Sequence, residues 1–168
     1  MMSSLNATLI RFEGAVHGWL IRHAITALRL SMGVVFVGFG VLKYFPGTSP
    51  AEDLVVTTID AISFGLVPGP LALVLTATLE CMIGLGLVVG RGLRLTVYLL
   101  AVQLLGILSP LVVLPHRLFS GPHHAPTLEG QYVLKDLILV AAAMVIATRF
   151  RGARIVRPDA SVVRAGRE

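Results

Sequence analysis

Glu80 sits near the middle of LTATLECMIGLGL, residues 75–87, in an apolar stretch long enough with its neighbours to cross a bilayer. An ionised group at the bilayer centre costs at least about 2.5 kcal/mol, so a carboxylate there turns into its bundle and finds a partner. Thr76 and Gly84, one turn to either side, make the Glu80 face polar and small. Upstream, Arg29, Gly33, Phe36, Gly40 and Lys43 follow one another at helical steps and share one face. At 1.5 Å per residue, Arg29 is about 21 Å from Lys43 along the axis and Glu80 about 16 Å from its own helix start, a gap that a long Arg side chain is expected to close.

Three more side chains belong to this set. Gln103 falls at a depth similar to Glu80, and Pro110 cannot donate to the Gly106 carbonyl, which is expected to stay free one turn away as part of a polar notch. Lys135 and Asp136 follow in EGQYVLKDLILV, with Lys135 placed about 10 Å inside the boundary of its span. Glu80 is the candidate proton-handling carboxyl, and Lys43, Gln103, Lys135, Arg29 and Asp136 are the candidate ligand-binding groups. Such an interior suits a quinone head group, a proton relay or a small anion.

Plainer roles stand beside these. Arg29 and Lys43 are within snorkelling distance of opposite interfaces, Lys135 and Asp136 can pair locally, and Gln103 can serve as interhelical glue. Glu80 can be a protonated or hydrogen-bonded structural carboxyl. Cys81, the single cysteine, rules out an internal disulfide, a CxxC motif and a thiolate zinc cluster. His116, His123 and His124 lack a helical ligand spacing, so no metal site is expected.

The elements that must position these groups are helices in lipid. Of 168 residues, 55% are hydrophobic and 14% charged, and the mean hydropathy of +0.85 places the chain among integral membrane proteins. Segments 24–44, 69–90, 93–115 and 128–150 each offer the roughly 20 apolar residues that a 30 Å core requires. Leu5, Leu9, Phe12, Val16 and Trp19 mark residues 1–23 as an amphipathic interfacial helix, and the N-terminus is expected to be retained rather than cleaved as a signal peptide. Residues 49–66 form a short external helix, with Ser49 as N-cap, Pro50 at the first position and Glu52 closing a capping box. Thr127 is the expected N-cap of the last span.

The fold class is therefore an all-α membrane protein: a four-transmembrane-helix bundle with an N-terminal amphipathic helix and a short external helix after the first span, in one domain. Basic residues gather at residues 11–29, at Arg91 and Arg94, and in the tail 151–168, whereas Lys43, Arg117 and Lys135 fall on the other side. The positive-inside rule then sets both termini and a basic tail in the cytoplasm. The net charge of +5 is explained by that topology, and no nucleic-acid partner is expected.

The segments LRLSMGVVFVGFGVLKYFPG, LECMIGLGLVVG and QYVLKDLILVAAAMVI resemble the DoxX-like superfamily of small bacterial membrane proteins, in particular its reactive-chlorine-resistance branch. The resemblance covers Leu28 to about Ile146. It implies a four-helix bundle with matching positions at Arg29, Lys43, Glu80, Lys135 and Asp136, and membrane subunits that serve a thiosulfate:quinone oxidoreductase or oxidative-stress enzymes. The leading expectation is a quinone-facing membrane component of a redox system, with membrane lipid, a redox-enzyme partner or a second copy as its contacts. A noncatalytic scaffold is the alternative, and a small transporter or channel is a third.

Overall fold

The computed structural model describes residues 2–148, with side-chain environments from residue 10 onward. Helix α1 runs from Met2 to Leu42, α2 from Glu52 to Ser63, α3 from Gly69 to Val89 and α4 from Leu93 to Leu108. Two short helices, α5 (Pro110–Val113) and α6 (Pro115–Leu118), lead to a 3₁₀ turn at Pro122–His124, then to α7 (Leu128–Lys135) and α8 (Leu137–Ala147). Four helical stretches, Ile10–Leu42, Gly69–Val89, Leu93–Val113 and Pro122–Ala147, are long and apolar enough to cross a membrane. The fold is an all-α membrane bundle.

The four spans close a ring in which α1 packs on α3, α3 on α4, α4 on α8 and α8 back on α1. The sharp turn at Gly90 and Gly92, both with positive φ, joins α3 to α4 and defines one end of the bundle, the turn end. The opposite, loop end carries α2, which packs on α3 and α5, together with α6. Met32, Phe36, Ile83, Leu87, Leu100, Leu104, Ala142, Ala143 and Ile146 fill the ring toward the turn end, and Ile83, Leu87 and Leu100 are wholly buried. The outward side chains, such as Val34, Leu75, Leu85, Val102, Leu105 and Ile138, are exposed apolar groups of the kind that lipid covers.

The tightest seam is between α1 and α3. A Cβ added at Gly84 would lie 2.6 Å from Val37 Cγ2 and 2.7 Å from the Gly33 carbonyl oxygen, and one at Gly33 would lie 2.9 Å from the Gly84 oxygen. Two backbones are in contact there, which only small residues permit. A Cβ at Gly40 would meet Cys81 Sγ at 2.9 Å and Glu80 Cβ at 3.0 Å, so the same seam carries the end of α1 across the face of Glu80.

Several local details differ from the sequence-based expectation. The amphipathic run 1–23 and the span 24–44 lie in one uninterrupted helix, because neither Gly14 nor Gly18 is accompanied by a proline or a cap that would end it. Helix α2 begins at Glu52 after Ala51 with no side-chain cap; Ser49 Oγ is buried with no hydrogen-bond partner among the described residues, and the Glu52 carboxylate accepts instead from the Gly47 amide at 2.6 Å. The capping box fails because Pro50 and Ala51 form a turn that moves the helix start two residues on. The third span is interrupted at Ser109, just before Pro110, and the fourth is irregular at Asp136, whose carbonyl accepts from Leu139 N at 2.9 Å. Thr127 does cap α7, accepting from Gly130 N at 3.1 Å. The tail 151–168 lies outside the described residues.

Candidate functional site

Glu80 is buried at 6% exposure, one turn on the loop side of the apolar core. Its two oxygens are held from different helices. Lys43, the first residue beyond α1 and also 6% exposed, folds inward and donates from Nζ to Glu80 Oε2 at 2.7 Å. Gln103, on α4, donates from Nε2 to Glu80 Oε1 at 3.1 Å. Lys43 Nζ also donates to the Phe39 carbonyl at 3.4 Å, which closes the last turn of α1 over the pair. Tyr44 and Thr78 share a hydrogen bond of 2.8 Å and tie the chain just after Lys43 to α3.

The reason this cluster forms follows from the seam below it. Gly33 and Gly84 bring α1 and α3 into backbone contact, Gly40 passes over Glu80 and Cys81, and the next turn delivers Lys43 to the carboxylate. Gln103 reaches the other oxygen because α4 packs on the far side of α3. An ammonium, a carboxylate and an amide thus meet in a buried interior, where each interaction is stronger than in water and each unpaired group more costly.

The other expected members are placed differently. Lys135 is exposed, with Nζ 5.5 Å from the Tyr132 ring centroid, because its position on α7 faces outward. Arg29 is half-buried at the turn end, where its guanidinium occupies the space a side chain at Gly90 would need; it does not reach Glu80, whose partner is Lys43. Asp136 is half-buried at the junction of α7 and α8, and among the described residues it makes no ion pair. The expected notch at Gly106 is closed: its carbonyl accepts from Ser109 Oγ at 2.7 Å and from Ser109 N at 3.2 Å. Serine before the proline supplies the donor that the proline lacks. Among the described residues no three His, Cys, Asp or Glu side chains come together as a metal site.

A second cluster, on the loop end, escaped the sequence. Arg117 on α6 forms a fork with Glu129 on α7, from Nε to Oε2 at 2.6 Å and from Nη2 to Oε1 at 2.6 Å. It also donates to Asp53 Oδ2 at 2.6 Å and Thr57 Oγ1 at 3.1 Å on α2. Glu129, then Asp53, accepting these bonds, push the guanidinium pKa above its ordinary value. Arg117 thereby links α2, α6 and α7 into a lid over the bundle. Replacing Arg117 with lysine, which keeps the charge and loses the fork, is expected to cost about 1–2 kcal/mol, read as a lower thermal midpoint in nanodiscs. Asp53→Asn barely moves that midpoint, because Asp53 is largely exposed.

A family model described as DoxX matches residues 24–115, more than half of the chain. The chain belongs to the DoxX family. The DoxX match takes in residues 24–42 of α1 and all of α2, α3, α4 and α5, and so contains Lys43, Glu80 and Gln103. It stops before Arg117, Lys135 and Asp136. No curated protein and no solved structure matches this DoxX chain.

Proposed function

We propose that this DoxX protein is the quinone-facing membrane component of a redox or oxidative-stress system in the bacterial inner membrane, with both termini in the cytoplasm. The observation that carries the reading is the buried Lys43–Glu80–Gln103 cluster at membrane depth. Ionisable groups held there at the cost of desolvation mark ligand and proton sites. The three side chains fit a quinone head group by type: the ammonium and amide are donors for a carbonyl oxygen, and the carboxylate is an acceptor for a quinol hydroxyl. In this reading Lys43 sets a positive potential, Gln103 orients the head group and Glu80 takes or gives the proton. The basic residues at the turn end support the orientation, and lipid contact along the exposed apolar belt supports access from the membrane.

The test is native mass spectrometry from nanodiscs of the cell's own membrane, comparing the wild type with Glu80→Gln. Quinone bound to the wild type and lost in the variant is the expected result; equal quinone in both, or none in the wild type, overturns it.

One observation favours a second reading. Both Glu80 oxygens are already engaged by the protein, as they would be in a noncatalytic scaffold whose charged interior only fixes the register of α1, α3 and α4. A scaffold retains a stoichiometric protein partner and no small ligand in both samples.

A further inference from the structure

Much of α1 lies beyond the bundle. Arg29 is beside Gly90 at the turn end, and α3, Gly69–Val89, is about 30 Å long, the thickness of the hydrocarbon core. Trp19 and Phe12 therefore stand about 15 Å and about 26 Å past that end along the helix axis, farther than the roughly 6 Å of head groups on each side of a bilayer. No proline between Met2 and Leu42 bends the helix back toward the membrane.

This overhang is apolar along one side. Leu5, Leu9, Phe12, Val16 and Trp19 alternate at steps of four and three, the spacing of a coiled-coil seam. Phe12 and Trp19 are more than half exposed and Val16 is exposed as well, so no described element of the chain covers them. At about 100° per residue these three are turned roughly 100–160° from Phe36, which faces the core, and they lie in line with the exposed Leu30, Val34 and Val41. Arg11 and Arg22 fall on the Phe36 side of the helix, and no charged residue is on the seam itself.

We propose that this seam pairs with the same seam of a second copy of the chain, in a parallel two-stranded coiled coil standing off the turn end of the bundle. Height, spacing and topology select that occupant. The seam is held clear of lipid, so water is its alternative surrounding and covering it is favourable. Its four-three spacing matches a helix of its own pitch, with Val16 at an a position and Phe12 and Trp19 at d positions. Copies inserted with one topology carry their overhangs parallel and at equal height, so two identical seams meet in register about a twofold axis. The uncharged seam brings no like charges together. The pairing goes beyond the quinone reading and holds with or without a ligand at Glu80.

Oxidative cross-linking of the full chain in proteoliposomes tests it, with copper phenanthroline as the oxidant. In a Cys81→Ser background, Phe12→Cys, Val16→Cys and Trp19→Cys are expected to give a disulfide-linked dimer, whereas Arg11→Cys, Gly14→Cys and Gly18→Cys, on the other side of the helix, give little. No dimer at any position, or equal yields at all of them, overturns the proposal. Trp19 is the single tryptophan of the chain, so its fluorescence reports on the unaltered protein. Brominated lipids are expected to leave its emission unchanged, and acrylamide to quench it less than in Val16→Lys, whose charge breaks the seam. Quenching by brominated lipid places the seam on the bilayer, and equal acrylamide quenching in both proteins leaves it bare in water; either result overturns the pairing.

Discussion

Lys43→Met is expected to be among the most damaging single substitutions in this protein, lowering its stability by about 3 kcal/mol or more. The ammonium bonded to Glu80 at 2.7 Å is removed, and the carboxylate is left in an interior where, among the described residues, only Gln103 still donates to it. Methionine fills much the same volume, so the loss is one of charge pairing rather than of packing. The double variant Lys43→Met/Glu80→Gln should recover most of that stability, because a neutral amide facing a thioether leaves no buried charge. Equilibrium unfolding in mixed detergent and lipid micelles across the wild type, both singles and the double gives the coupling directly. Additive effects would mean that the pair contributes nothing as a pair.

The second large effect is steric. Gly84→Leu must open the place where the α1 and α3 backbones touch, with the added Cβ alone meeting Val37 Cγ2 at 2.6 Å and the Gly33 oxygen at 2.7 Å. Overpacking of this kind costs about 1–3 kcal/mol, and here it also lifts Gly40 and Lys43 away from Glu80. Gly38→Leu is the control, since a Cβ there meets nothing within 4 Å. A lower unfolding midpoint in the Gly84 variant, with Gly38→Leu near the wild type, is the expected outcome; equal shifts would mean that the seam is not specific.

The membrane spans and the inward turn of Glu80 were legible in the sequence because lipid imposes a length and a penalty that composition cannot disguise. The partner of Glu80 was harder to see. Arg29 and Lys43 share a face, and spacing alone does not say which one the carboxylate takes; the glycine contacts at residues 33, 40 and 84 bring α1 across α3 at the height that selects Lys43. Lys135 was misplaced because α7 presents it outward, a rotation set by packing on α6 through Thr127 and Leu118. The Arg117 clamp depends on three segments meeting, with Asp53 64 positions before Arg117, and the sequence signal was an arginine in a loop with acidic neighbours. The Ser109 donor that closes the Gly106 carbonyl was one residue from the proline that prompted the expectation.

The unbroken α1 has a mechanical consequence. Its 41 residues extend about 60 Å, twice the hydrocarbon thickness. The seam holds α1 to α3 from Arg29, beside Gly90, to Lys43, on Glu80, so about 40 Å of the helix, from Met2 to Arg29, runs on past the turn end of the bundle as a single rod.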